Sequence, residues 1–263
     1  MRLSILLPVR NEGLNLRIML KILKATTDVD HEVLVVCDTP DDDSIAVVDA
    51  IRPEYPNVRI VRNENGRGVI NAIRAGVQAA QADIILIFAA DEVGPVLAIA
   101  DMLTLVDQGC DFVSCTRYAH GGRRLGGSWL GGFLSRAANR ILHALAASSL
   151  TDSTTGIKMF RREIFDRLFL ESRPIGWAVA FEMSIKAQLL QLRLGEVPIV
   201  SIDRLYGGTS TFRGGAWTLE YSRWFVWGAW HLRGKARLPV TVRIPAVVPR
   251  PRPPGRPAAQ LEP

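Results

Sequence analysis

The chain has 263 residues, which is enough for one large α/β domain or two small ones with a sizeable core. Its 48% hydrophobic and 22% charged residues are typical of a globular protein. The three cysteines have neither metal-ligand nor disulfide spacing, which excludes a disulfide scaffold and fits a reducing compartment. The net charge of +6 is unevenly placed, because from Arg233 onward the only acid is Glu262. Such a basic end either suits an anionic partner, a membrane surface or a nucleic acid, or is a solvated tail.

Up to Tyr118 the chain alternates strand and helix patterns. Apolar, β-branched runs predict strands at residues 3–9, 32–38, 58–63, 82–91 and 110–118. Amphipathic periodicity predicts helices at residues 11–23, 44–52, 66–80 and 95–109. This alternation indicates an α/β fold with a parallel sheet covered on both faces. Ligands bind at the carboxyl ends of such strands, where the chain places Asp38, residues 63–68, Asp91 and Arg117.

After Tyr118 the pattern changes. A glycine-rich, basic loop at 121–132 precedes a predicted helix at 133–150, and residues 152–170 predict a turn, a short strand and a helix. A further helix at 178–192 and a strand from 195 lead to a second glycine-rich loop. Residues 213–237 form a Trp-rich, basic helix, and the Pro- and Arg-rich residues 238–263 are predicted to be disordered or extended. The start of the chain is interpreted as a strand and not a signal peptide, and no apolar stretch reaches the roughly 18 residues of a spanning helix.

Two acidic strand ends and a glycine loop carry the chemistry. Asp38 and Asp91 would face one cleft, where one carboxylate can accept hydrogen bonds from a nucleobase or ribose and the other can hold a divalent ion that bridges phosphates. Gly66 and Gly68 let the backbone approach a ligand before a helix N-terminus. The loop is neither a dinucleotide-binding G-x-G-x-x-G, since Asn71 replaces the third glycine, nor a Walker A loop. Taken singly, each of these features is better explained as a turn glycine or a solvated strand-end acid.

Taken in order, the motifs resemble those of family 2 glycosyltransferases. They are LLPVRNE, VVCDTPDDD, NGRGVINAIRAG, FAADEVGP, SCTRYAHGG, SLTDSTTGIKMFRR and EVPIVSIDRLYGGTS. The D-x-T-T-G and R-x-x-G-G-x-S motifs are similar to those of the dolichol-phosphate mannosyltransferase and polyprenyl-phosphate glycosyltransferase branch. The likeness covers residues 2 to about 212. It implies a GT-A fold at residues 1–212, with a nucleotide-sugar half at 1–118 and an acceptor half at 119–212.

The resemblance also implies site residues. For the nucleoside-diphosphate sugar they are Pro8, Arg10, Glu12, Asp38, Gly66, Gly68, Ala89, Ala90, Asp91 and Glu92. Asp91, with Glu92 beside it, would bind Mg²⁺ or Mn²⁺ near the diphosphate. The acceptor-side residues would be Arg117, Asp152, Thr154, Arg204 and Ser210, and the catalytic set Asp91, Arg117 and Arg204.

Several positions depart from the family pattern. Cys37 replaces the first of two acids that close the second strand, and Arg67 stands at a hydrophobic position. Ala89 replaces the first aspartate of the D-x-D motif, and Val93 stands where some relatives have a polar ligand. Thr211 and Phe212 follow Ser210 where a lysine is often found. A lone carboxylate can hold Mg²⁺ when phosphates and water complete the coordination, so we expect a weak, donor-dependent metal site at Asp91.

In this branch the expected acceptor is a lipid monophosphate. Its second pKa is about 6, so the nucleophile is already an anion and needs no general base. The family implies direct displacement with inversion. Tryptophan beside basic residues at 217–237 is typical of a helix in a membrane interface, although an amphipathic helix packed on the domain explains the pattern too. The helix within 128–147 is a second candidate for lipid contact. We therefore expect a peripheral enzyme on the cytoplasmic face of the membrane, with a possible separate membrane protein as partner and no nucleic acid.

Two other hypotheses remain open. A family 2 enzyme with a hydroxyl acceptor would need a catalytic base, for which Glu182 and Asp152 are candidates. A non-catalytic nucleotide-sugar-binding protein is the other, and the missing metal carboxylate at Ala89 favours it.

Overall fold

A computed structural model describes residues 1–92, 94–126, 129–202 and 214–245. The strands are β1 (Leu3–Val9), β2 (His31–Cys37), β3 (Val58–Arg62), β4 (Ile84–Ile87), β5 (Phe112–Thr116), β6 (Arg123–Leu125), β7 (Lys158–Arg161), β8 (Leu194–Pro198), β9 (Val200–Ile202) and β10 (Val240–Val242). The helices are α1 (Gly13–Thr26), α2 (Ser44–Ile51), α3 (Val69–Ala79), α4 (Ile99–Asp107), α5 (Trp129–Leu145), α6 (Ala178–Leu189) and α7 (Gly214–Leu232). Short 3₁₀ helices lie at Gly94–Ala98, Arg162–Ile164 and Asp166–Leu168.

The main sheet has eight strands in the order β10-β8-β5-β7-β4-β1-β2-β3, and a second sheet pairs β6 with β9. Helices cover both faces of the main sheet. Leu16 and Met19 of α1 and Met102 of α4 belong to the core on one face, and Ile73 of α3 and Met183 of α6 belong to the core on the other. Because both faces are buried, the strands are near-continuous apolar runs, as the sequence indicates. The predicted mostly parallel sheet flanked by helices is confirmed.

Strand β7 is the exception, because it runs antiparallel to both β4 and β5. Lys158, its first residue, lies opposite Ile87 at the end of β4 and opposite Ser114 in β5. The segment just before β7, residues 151–156, therefore arrives at the edge of the sheet where the parallel strands have their carboxyl ends. This single reversal places D-x-T-T-G beside the other motifs.

Several predicted elements differ from the structure. The helix predicted at 133–150 begins earlier, inside the glycine-rich loop, and ends at Leu145. The helix predicted before residue 170 is wrong, since two 3₁₀ turns occur there and Phe169 has a left-handed φ of 42°. The tail predicted to be disordered from residue 238 instead contributes β10, because its β-branched V-T-V run pairs with the open edge of β8. Residues 246–263 lie outside the described residues.

Helix α7 packs on the domain through a third apolar cluster. Trp224 and Leu232 of α7 contact Phe181 and Ile185 of α6 and Leu142 of α5 in this cluster. Trp224 is buried, whereas Trp230 is 74% exposed. Among the described helices, none has the length and hydropathy that crossing a bilayer requires.

Gly68 is predicted to be essential for stability. Its φ is +120°, and a Cβ there would lie 2.8 Å from the carbonyl oxygen of Pro174. Gly121 has a φ of +92° but open space around it, so it is a matched control. We expect Gly68→Ala to lower the free energy of unfolding by about 2 kcal/mol or more, and Gly121→Ala by about 1 kcal/mol. Urea unfolding of both variants measures the difference, and equal losses would contradict the steric explanation.

Candidate active site

The residues predicted to bind the nucleotide sugar lie at the carboxyl edge of the sheet. Pro8 lies near the end of β1 and is paired with Val36 of β2. Asp38 follows β2, Asp91 follows β4 by a short turn, and Arg117 follows β5 directly. Because these strands are parallel, their ends share one edge. Arg10 is exposed, and Pro8, Glu12 and Ala89 are partly buried, while Ala90 is buried.

The acids after Asp38 have a structural task that the sequence did not reveal. The carboxylate of Asp42 accepts a hydrogen bond from the backbone N–H of Asn11 (3.0 Å), and that of Asp43 accepts one from Gly13 (2.9 Å). The hydroxyl of Ser44 accepts a third from the backbone N–H of Glu12 (3.3 Å). These bonds satisfy donors at the N-terminus of α1 and favour it electrostatically. The D-D-D-S run therefore shapes the loop that carries Glu12.

Asp38 organises the glycine loop. One of its oxygens accepts a hydrogen bond from Nδ2 of Asn63 (2.6 Å), and the other accepts one from the backbone N–H of Gly68 (3.2 Å). Asn63 also donates to the carbonyl of Gly66 (2.7 Å) and accepts from the backbone N–H of Asn65 (3.0 Å). The sequence placed Asn63 at the ligand-binding end of β3, but Asn63 was not assigned to the donor-binding residues. A base or ribose contact by Asp38 would add to these bonds, because a carboxylate has further lone pairs.

The acids after β4 have the chemistry of a small metal site. Asp91 and Glu92 are both partly buried, and each has further interactions in the fold. Within the described ranges, no three His, Cys, Asp or Glu side chains gather to form a metal cage. Mg²⁺ usually binds to proteins through one or two carboxylates and completes its shell with water and substrate phosphates. Asp91 and Glu92 match the number and type of protein ligands that such a donor-completed site requires.

Arg117 and Asp152 form a buried ion pair at the same edge. Nε of Arg117 donates to Oδ2 of Asp152 (2.7 Å), and Nη2 donates to Oδ1 (3.0 Å) and to the hydroxyl of Thr154 (3.0 Å). The side chains are 9% and 0% exposed. Burial opposes both charges, but the opposite charge and the hydrogen bonds outweigh it, so the pKa of Asp152 is lowered and that of Arg117 is raised. Because the guanidinium is planar and rigid, this contact also sets the direction of Nη1.

Helix α5 supports this pair from behind. Nδ2 of Asn139 donates to the hydroxyl of Thr154 (2.9 Å) and approaches Oδ1 of Asp152 (3.3 Å), while its Oδ1 accepts from the backbone N–H of Ser153 (2.8 Å). Ser135, one turn earlier, bonds Thr154 as well (2.8 Å). Sequence reasoning missed Asn139. A poor helix former in mid-helix was the available signal, since such residues often have a polar partner.

Two more ionisable groups lie beneath the pair. Lys158 is fully buried and its Nζ donates to the hydroxyl of Ser114 (2.8 Å). Burial lowers the pKa of Lys158 to about 8. Glu196 of β8 accepts hydrogen bonds from the backbone N–H (2.9 Å) and the hydroxyl (2.8 Å) of Thr151, and burial raises its pKa to about 7. The backbone of the D-x-T-T-G turn is thus held by two buried ionisable groups. Glu196 accepts a hydrogen bond from the backbone N–H of Asp152 (3.2 Å), and Lys158 donates one to the carbonyl of Ser153 (3.5 Å).

Glu182, a candidate base for a hydroxyl acceptor, is also engaged. Its carboxylate accepts hydrogen bonds from the backbone N–H groups of Glu171 (2.6 Å) and Ser172 (2.8 Å) and pairs with Lys186 (2.7 Å). The side chain is fully buried. Asp152, the other candidate base, is held by Arg117. Arg204, Ser210, Thr211, Phe212 and Val93 lie outside the described residues.

The chain belongs to glycosyl transferase family 2, whose family model matches residues 4–169. It is 25% identical over 211 residues to glycosyltransferase AglD of Haloferax volcanii, which covers 74% of this chain and 32% of that protein. It is 27% identical over 172 residues to an undecaprenyl-phosphate 4-deoxy-4-formamido-L-arabinose transferase of an Enterobacter species, with 64% and 51% covered. The third relative, dolichyl-phosphate β-glucosyltransferase ALG5C of Trichomonas vaginalis, is 22% identical over 174 residues, with 64% and 52% covered. The chain thus spans about a third to a half of these relatives' lengths.

Solved structures agree on the fold. Glucosyl-3-phosphoglycerate synthase of Mycobacterium tuberculosis, in complex with Mn²⁺, UDP and glucosyl-3-phosphoglycerate, superposes with a TM-score of 0.64 at 19% identity, covering 87% of this chain and 80% of that one. The same synthase with Mg²⁺ and UDP gives a TM-score of 0.64, also at 19% identity, with 87% and 79% covered. The predicted family and GT-A fold are therefore confirmed.

The raised pKa of Glu196 makes a pH-dependent contribution to stability. The folded-state pKa of about 7 exceeds the ordinary 4.5, so the folded state holds a proton that the unfolded state has released between these values. Stability is therefore lost as pH rises through this window. We expect the free energy of unfolding of the unmodified protein, relative to Glu196→Gln, to fall by about 2–3 kcal/mol between pH 5 and pH 8. Urea unfolding of both proteins at both pH values measures it, and a pH-independent difference would contradict the assignment.

Proposed function

We propose that this chain is a glycosyltransferase that moves a sugar from a nucleoside-diphosphate sugar, of the GDP-mannose or UDP-glucose type, to a polyprenyl phosphate at the membrane surface. The observation that carries the proposal is the acceptor side of the sheet edge. It presents Arg117 in a rigid orientation, while the two carboxylates considered as bases, Glu182 and Asp152, are buried and engaged. Such a site suits an acceptor that is already anionic.

The donor would bind across the ends of β1, β2 and β4. Pro8, Arg10, Glu12 and Asp38 would shape the pocket for base and ribose, and the loop with Gly66 and Gly68 would bring its backbone close to the donor. A divalent ion held by Asp91 and Glu92 would neutralise charge on the leaving diphosphate. The structurally similar glucosyl-3-phosphoglycerate synthase binds UDP together with Mn²⁺ or Mg²⁺, which supports this arrangement.

The acceptor half, residues 119–212, would bring the lipid phosphate in line with the anomeric carbon. Arg117 would pair with a phosphate oxygen through its remaining donors, because a guanidinium matches phosphate geometry. We assign Arg204 and Ser210 to the same phosphates. The phosphate oxygen would attack directly, the diphosphate would leave from the opposite face, and the configuration would invert, with no proton to remove. The names of two relatives, for undecaprenyl- and dolichyl-phosphate chemistry, support this acceptor.

The reaction would take place on the cytoplasmic face of the membrane, with the protein bound peripherally and a separate membrane protein as a possible further anchor. The test is incubation with a polyprenyl phosphate and a panel of labelled GDP- and UDP-sugars, followed by lipid extraction. We expect a lipid-bound product whose sugar is released by mild acid. A product stable to mild acid would favour a hydroxyl acceptor, and nucleotide binding without any transfer would favour the non-catalytic hypothesis.

Asp91 is the residue whose loss should affect transfer most. We expect Asp91→Asn to lower kcat/KM at least about a hundredfold, since removal of one preorganised charge contact at a transition state typically costs that much. Glu163→Gln, an exposed carboxylate beyond β7, is the matched control and should keep full activity. Initial rates over a series of Mg²⁺ and Mn²⁺ concentrations provide the measurement. Full activity of Asp91→Asn would exclude its proposed role.

A further inference from the structure

Helix α5 presents an apolar ridge to the surface. Trp129, Phe133, Ile141 and Leu145 follow one another at four- or eight-residue spacing and are all exposed, Trp129 by 81% and Leu145 by 77%. The rings of Trp129 and Phe133 stack at a centroid distance of 5.9 Å, still on the surface. Because side chains four residues apart are neighbours on a helix, these residues form a ridge that runs obliquely along the exposed side of α5, with the partly buried Ala137 in the middle. Contiguous exposed apolar surface of this kind marks an interaction site.

The exposed charged residues of α5 and of residues 214–245 are all basic. From Phe112 to Thr151 the sequence contains no Asp or Glu, and α5 itself carries exposed Arg136 and Arg140. In the neighbouring residues 214–245 the only acid is Glu220, which is buried, whereas Arg233, Lys235 and Arg237 are exposed. An apolar ridge flanked by cations is complementary to an anionic lipid surface, because the apolar side chains enter the interface while Lys and Arg attract the anionic headgroups.

A groove joins the ridge to α7. It has a volume of about 340 Å³ and is lined by Ile141 and Leu145 of α5, by Phe225 and Ala229 of α7, and by Arg233 at the C-terminal end of α7. The Trp-rich segment is divided between the two sides of α7: Trp224 is buried and Trp227 is partly buried, whereas Leu219, Val226 and Trp230 are exposed. Exposed apolar side chains thus lie on both helices and are more numerous on α5, while Arg233, Lys235 and Arg237 add a basic border.

The opposite face of α5 carries Ser135 and Asn139, which contact Thr154 and the Arg117–Asp152 pair. One rigid helix thus connects the exposed ridge to the candidate acceptor site. We propose that α5 docks the protein on an anionic lipid bilayer and that docking holds the acceptor site at a fixed height above that bilayer. This inference rests on the proposed function for the role of the acceptor site. Docking itself can be measured without any transfer activity.

The experiment measures binding of the full chain to vesicles made of equal parts phosphatidylglycerol and phosphatidylcholine, with no polyprenyl phosphate and no nucleotide sugar. The variant is Trp129→Glu/Phe133→Glu, and the matched control is Leu14→Glu, an exposed leucine at the start of α1. Thermal unfolding of each variant confirms that it is folded. We expect binding that requires phosphatidylglycerol, a loss of at least about tenfold in the partition coefficient for the α5 variant, and no loss for Leu14→Glu.

Three outcomes would overturn the docking proposal. They are the absence of binding to anionic vesicles, equal binding by the α5 variant, and binding to native membranes alone, which would indicate a membrane protein as the partner. A second arm separates the two proposals with a short-chain, water-soluble prenyl phosphate. Transfer to it that the α5 variant retains, together with lost vesicle binding, supports docking through α5. Vesicle binding by the unmodified protein without transfer to any prenyl phosphate would contradict the proposed function but not the docking proposal.

Discussion

The part of the fold after β5 depends on the buried ion pair between Arg117 and Asp152. Removing two charges from water costs several kcal/mol for each, and only good geometry with additional hydrogen bonds compensates for that cost. Those bonds come from different parts of the fold: Asn139 of α5 beside the pair, Thr154 of the turn itself, and Glu196 of β8, which holds the backbone of the turn. Each of these elements must be in place for the pair to be stable, so the pair couples α5, β5, the D-x-T-T-G turn and β8.

Charged side chains that follow β2 stabilise loops in a comparable way. Asp38 accepts hydrogen bonds from Asn63 and Gly68, and Asp42 and Asp43 bond the N-terminus of α1. Most of the acidic run after β2 therefore builds loops. Few of these carboxylates can therefore act on a ligand. This makes Asp91 and Glu92, the acids after β4, the main candidates for such a role at this edge of the sheet.

Residues 171–177 connect the glycine loop after β3 to α6 and α7. Pro174 lies so close to Gly68 that a side chain at position 68 would clash with it. The backbone of the same segment is bonded by two buried glutamates, Glu182 of α6 and Glu220 of α7. The loop that carries Gly68 is therefore connected to α6 and α7 through this tightly packed segment.

The sequence by itself determined the fold class, since apolar runs of strand length alternating with amphipathic helices leave few other arrangements, and its ordered motifs determined the family. It also pointed to the strand-end residues, because parallel strands must share a carboxyl edge. Only the tertiary structure decided the direction of β7, the pairing of Arg117 with Asp152, the support from Asn139, and the inward orientation of Trp224. These features depend on contacts between residues far apart in the chain. Local periodicity describes which face of an element is apolar, but it cannot tell which partner covers that face or which buried charge lies opposite another.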